Sequence, residues 1–103
     1  MNKGYITHTL DSTLHKIGFH KYVHQDDEND YYYKKCYTSI RGIQIELRAY
    51  IDILSTDSIN IAINGRCHRH GLFKVEQRSC TIEKDVDIKK IYEILDIIDN
   101  KLS

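Results

Sequence analysis

The sequence predicts an α+β fold, an antiparallel meander of four or five strands with an N-terminal and a C-terminal helix packed on one face as a two-layer sandwich. Three observations carry this. Ile43, Ile45, Leu47, Ala49, Ile51 and Ile53 alternate with Gln44, Glu46, Arg48, Tyr50 and Asp52, the period of a strand with one dry and one wet face. Ile59, Ile61 and Ile63 repeat that alternation after a polar Ser55-Thr56-Asp57-Ser58 turn. Near the C-terminus Ile88, Ile91, Leu95, Ile98 and Leu102, widened by Ile94 and Ile97, follow the three-four rhythm of an amphipathic helix over 87–102.

The remaining elements follow in chain order. Ile6, Leu10, Leu14 and Ile17 share one face of a helix over 6–17. Gly18 suits a left-handed C-cap, and Phe19 can pack back on the last turn. Residues 19–24 read as a short strand. Four acids within residues 25–30 predict a solvated loop, and the tyrosine-rich segment 31–38 predicts the next strand.

Asn64-Gly65 has the form of a two-residue hairpin turn. Turning there would aim Arg66, His68 and His70 at the apolar face, and burying an arginine is costly. The strand is therefore expected to continue, with Cys67 inward, Arg66 and His68 wet, and the turn near His70-Gly71. In the last strand, 72–82, Phe73 and Val75 hold one phase and Cys80 and Ile82 the other, which predicts a bulge near residues 77–79. Asp85 or Asp87 is placed to cap the final helix. Without repeats, linkers or low-complexity segments, residues 1–103 are expected to form a single domain.

Composition narrows the function classes. Apolar residues make up 41% of the 103, enough for a core without staples. No apolar run reaches the ~20 residues of a membrane span, and residues 1–5 lack the apolar stretch of a signal peptide, so a cytoplasmic setting is expected, which the phage-type likeness given below places in a bacterial host. Cys36, Cys67 and Cys80 are then expected as thiols. Fifteen basic and fifteen acidic residues give zero formal charge, which supplies neither the basic excess usual in nucleic-acid binders nor the acidic excess of a DNA mimic.

Chemistry-bearing clusters are few. His8, Asp11 and His15 share a helix face opposite the apolar stripe and could hold a metal or move a proton. Solvated side chains are the simpler account. Cys67, His68 and His70 offer three ligand types, but alternation sends the thiol to one face and the imidazoles to the other. No CxxC pair accompanies them, and no nucleophile has an evident base. The acidic segment 26–30 lacks the glycine and distal glutamate of an EF-hand. No catalytic residue, cofactor site or metal site is assigned, and an enzyme is not expected.

What remains is a surface. Arg66, His68, Arg69, His70, Lys74 and Arg78 form a basic stretch opposed only by Glu76, while residues 83–99 carry six acids against three lysines. Tyr31, Tyr32, Tyr33, Tyr37 and Tyr50 are the residue type enriched where proteins meet, and alternation sends Tyr50 and at least one of Tyr31–Tyr33 to the open face. The candidate partner-binding set is therefore Tyr32, Tyr50, Arg48, Arg66, His68, Arg69, His70 and Lys74.

The expected function is a small protein-binding module that occludes a host protein or ribonucleoprotein without catalysis. In size and composition the chain is similar to small proteins of low-GC phages and mobile elements, which often inhibit host machinery, CRISPR defence included. That likeness implies an anti-CRISPR-like inhibitor by analogy only. The alternative is a nucleic-acid module in which Tyr50 stacks bases while Arg48, Arg66 and Arg69 meet phosphate; Glu46 and Asp52 on the same face count against it. A metal-dependent enzyme ranks last. A homodimer is compatible with the first two, since pairing protects an exposed edge.

Overall fold

A computed structural model describes residues 3–55, 58–69, 71–83 and 88–103. The order is α1 (Lys3–Lys16), β1 (His20–His24), β2 (Asp27–Thr38), β3 (Gln44–Ser55), β4 (Ser58–Arg69), β5 (Leu72–Glu83) and α2 (Ile88–Leu102). The strands form one antiparallel sheet in the order β1-β2-β3-β4-β5, the expected meander with all five strands present.

Both helices lie on the same side of this sheet. Tyr33 and Tyr37 are four residues apart in β2 and so share a face. Tyr33 donates a 2.6 Å hydrogen bond to Asp11 of α1, and Tyr37 donates one of 2.6 Å to Asp99 of α2. Between sheet and helices lie Leu10 and Leu14 of α1, Ile45, Leu47 and Ala49 of β3, Ile59, Ile61 and Ile63 of β4, and Ile91, Ile94, Ile98 and Leu102 of α2. Each fully buried aliphatic side chain contributes about 1.5–3 kcal/mol, so this layer is the main source of stability. Ile97, counted on the apolar side from its spacing, is exposed instead.

Local signals match the chain's turns. Phe19 N–H donates to Leu14 O at 2.9 Å and Gly18 N–H to His15 O at 3.1 Å, with Gly18 at φ +101°, the Schellman cap expected at the end of α1. Arg69 at the end of β4 pairs with Leu72 at the start of β5, and Gly71 adopts φ +78°; His70, the other residue of the expected turn, lies outside the described residues.

Asn64-Gly65 is strand, as the cost of burying Arg66 predicts. Gly65 pairs with Leu47 and Glu76. A Cβ built on it would lie 2.5 Å from Ile98 Cγ2 and 2.8 Å from Leu102 Cδ1. The missing side chain is what lets α2 seat on β4.

Two expectations about the strands fail. The acidic segment is not a loop beyond residue 26: β2 begins at Asp27, which pairs with His24 after a register shift beyond Val23. Asp30 in this strand is exposed, as a charged residue on a water-facing antiparallel strand can be. Nor is there a bulge at 77–79, since β5 pairs with β4 in unbroken register from Leu72 to Glu83. Phe73 and Val75 simply face away from the helices and are 54% and 52% exposed, while Lys74, Glu76 and Arg78 take the helix side. The capping positions Asp85 and Asp87 lie outside the described residues.

Candidate protein-docking face

The uncovered side of the sheet is built by the second phase of every strand. Direct pairing places Tyr22 beside Tyr32, Lys34 beside Arg48, and Cys36, Glu46, Arg66 and Val75 in one row across β2 to β5. Tyr22 and Tyr32 stack at 5.6 Å between ring centroids with planes 16° apart, and Tyr32 meets Tyr50 at 5.9 Å. A three-tyrosine ladder therefore crosses β1, β2 and β3.

Cations fill the rest of its surroundings. The Lys34 ammonium lies 5.2 Å from the Tyr22 ring and the Arg48 guanidinium 5.2 Å from the Tyr32 ring, within cation–π range. Glu46 is the hub next to the ladder: it lies 3.1 Å from Arg48, 3.5 Å from Arg66 and 3.9 Å from Lys34. One carboxylate among three cations leaves the centre of the face positive. A hydrogen-bonding interaction with Tyr50 raises the Arg48 pKa above its ordinary value; burial opposes it, and the Glu46 charge adds to the rise. Asp52 lies farther along β3, where it pairs with Asn60.

Beyond the hub the surface becomes concave. An open trough of about 1030 Å³ lies at this end of the sheet, lined by Glu46, Arg66, His68 and Phe73 of the open face and also by Tyr37, Ile45 and Cys67 of the opposite phase. His68 meets Phe73 edge-on at 5.0 Å, and the Arg66 guanidinium lies 5.9 Å from the same ring. The β2–β3 loop forms one wall. It is closed by Ser39 N–H to Ile43 O at 2.8 Å and Gly42 N–H to Ser39 O at 2.9 Å, and it leaves Ile40 fully exposed beside Arg41.

Of the residues singled out from sequence, Tyr32, Tyr50, Arg48, Arg66 and His68 come together on this face. Lys74 does not: it lies on the helix side and donates to the backbone carbonyl of Lys101 at the C-terminal end of α2. Arg78 is likewise on the helix side, 3.9 Å from Glu76, so the basic stretch is divided between two faces. The backbone of Arg69 closes β4, while its side chain and all of His70 lie outside the described residues. Sequence reasoning missed Tyr22, Lys34, Arg41 and Phe73.

The other clusters do not assemble. Asp11 is turned to Tyr33 rather than to an ion shared with His8 and His15, which are exposed. Cys67 is buried and donates to Leu102 O at 3.5 Å, on the opposite side of β4 from His68. Among the described residues no group of three histidine, cysteine or acidic side chains is placed to hold a metal ion, and no helix is long and apolar enough to cross a membrane. In comparison with known proteins, no family model matches the chain, and neither a curated protein nor a solved structure is significantly similar to it.

Proposed function

We propose that this chain is a small protein-docking module that lays its open sheet face on an acidic surface of a bacterial host protein and occludes it, without catalysis. The observation that carries the reading is the convergence of Lys34, Arg48 and Arg66 on the single carboxylate of Glu46, flanked by the tyrosine ladder and by Phe73. Tyrosine and arginine are the side chains that most often dominate protein interfaces, and a cationic centre favours acidic partners. The trough gives a protruding acidic side chain a place to enter beside Arg66 and His68. Occlusion in the cytoplasm, of the kind exerted by phage and mobile-element inhibitors, is the mode that suits so small a chain; CRISPR defence proteins are one class of target to test.

Base stacking is the less favoured use of the same face. A nucleic-acid platform offers ring faces to the bases. Here Tyr22 and Tyr32 turn faces to each other, and Lys34 and Arg48 lie over those rings. These contacts engage ring faces of Tyr22 and Tyr32 that stacked bases would need.

The test combines capture and mapping. Tagged protein is drawn from a nuclease-treated bacterial lysate beside R48E/R66E, Y50A and the helix-side control K89E. The captured partner is then purified and titrated into labelled protein by NMR, with a Glu-rich peptide and a single-stranded oligonucleotide as parallel probes. The proposal expects one stoichiometric protein, lost with R48E/R66E and weakened with Y50A but retained with K89E, and shifts centred on Arg48 and Arg66. Binding confined to the oligonucleotide, or a protein partner indifferent to R48E/R66E, overturns it.

A further inference from the structure

Strand β5 ends the sheet, and among the described residues no strand pairs with its outer edge. The opposite edge is closed by β1, only five residues long, whereas β5 runs for twelve. Long edges are normally blunted by proline, bulges, short length or inward charge, because their unpaired N–H and C=O groups invite another strand. β5 has no proline and no break in register, and it exposes Leu72, Phe73 and Val75.

Its inward charges are of a particular kind. Lys74, Glu76 and Arg78 occupy successive positions on the helix side. A run of one sign would repel a second copy, but these signs alternate. We infer that β5 is a self-association edge, on which two copies pair antiparallel about Gln77 to make one continuous sheet.

The register is selected by charge. A twofold axis at Gln77 sets Glu76 of each copy opposite Arg78 of the other, Leu72 opposite Ile82, Phe73 opposite Thr81 and Val75 opposite Ser79. The ladder then uses nearly the whole strand. An axis at Glu76 would oppose Glu76 to itself and Lys74 to Arg78, which like-charge repulsion disfavours. An axis at Val75 would pair Lys74 with Glu76 but oppose Arg78 to Leu72 and use little more than half of the strand. Within one copy Arg78 lies 3.9 Å from Glu76 and donates to the Gln77 carbonyl at 3.1 Å; pairing exchanges these solvated contacts for the partner's Glu76. This pairing leaves the open face clear on both copies and stands apart from its proposed use.

Sedimentation equilibrium over a concentration series tests the inference. The wild-type chain is expected to approach twice its 12.2 kDa mass at high concentration. E76R alone sets arginine against arginine, R78E alone sets glutamate against glutamate, and each should remain monomeric with an unchanged circular dichroism spectrum. An equimolar mixture of the two restores opposite charges and should recover the dimer, while R48E on the open face should dimerise as wild type does. A wild-type chain that stays monomeric at every attainable concentration overturns the inference. So does a dimer that survives both single charge variants.

Discussion

The Tyr33 hydroxyl donates a 2.6 Å hydrogen bond to the Asp11 carboxylate, joining the second strand of the sheet to the N-terminal helix. The Tyr33 side chain is almost fully buried and Asp11 is half-buried. Hydrogen bonds to charged groups contribute about 1.5–3 kcal/mol, and an abandoned buried acceptor adds its desolvation cost. Y33F keeps the ring and removes only the bond, so it should lower unfolding free energy by about 1–3 kcal/mol in urea denaturation. D11N, which keeps an acceptor, should cost less. Equal and negligible effects from both would mean that apolar packing alone holds α1.

The same clamps set an alkaline limit. Burial first, and then the hydrogen bonds to Asp11 and Asp99, raise the pKa of Tyr33 and of Tyr37 well above the tyrosine value of 10.0. In the unfolded chain both phenols ionise near pH 10. Above that pH the folded state holds protons that the unfolded state has released, so stability falls as pH rises. Below pH 10 the contribution is complete. Thermal unfolding followed from pH 8 to pH 11.5 should therefore show a steepening loss above about pH 10, shallower in Y33F and Y37F. An unchanged slope in both variants would place the alkaline sensitivity elsewhere.

Gly65 is the contact point of helix and sheet. An added methyl would lie 2.5 Å from Ile98 Cγ2, so the neighbour must move. Overpacking of this kind costs about 1–3 kcal/mol, and G65A should be destabilised by that amount. I98L removes the β-branch carrying the clashing methyl and should itself cost less than about 1.5 kcal/mol. In the double variant the two should couple favourably by at least ~0.5 kcal/mol. Strict additivity in a urea double-mutant cycle would show that α2 moves as a body.

Much of this fold is legible in the residues. The alternation from Ile43 to Ile53 and from Ile59 to Ile63 identifies the central strands, because a one-residue slip would expose every isoleucine. Reading Gly65 as strand follows from the cost of burying Arg66. Phe73 and Val75 misled because large apolar side chains were assigned inward. Carrying the register from β4 into β5 corrects this: Cys67 faces the core and pairs with Lys74, so Phe73 must face out. The same procedure finds Tyr22 and Lys34, which share a phase with Tyr32 on the β1–β2 hairpin. The Asp11–Tyr33 and Asp99–Tyr37 bonds were not legible, since nothing in local spacing tells which acid a helix turns toward a distant strand. The trough is likewise a product of sheet shape rather than of any motif.

Glu46 organises the proposed docking face rather than supporting the fold. Its carboxylate contacts Lys34, Arg48 and Arg66, all on the partly solvated side of the sheet. Ion pairs in such positions are worth about 0–1 kcal/mol each and are screened by salt. E46Q keeps the shape, removes the attraction and leaves three cations facing one another. It should reduce unfolding free energy by about 1 kcal/mol or less at low ionic strength, and by still less in ~1 M salt. The same change makes the face more positive. Association with a Glu-rich peptide should therefore become faster at low salt, with the difference vanishing as salt is added. A large stability loss that salt does not reduce would mean that Glu46 is a structural element of the sheet, and that the cationic centre is a consequence of folding rather than a surface kept for a partner.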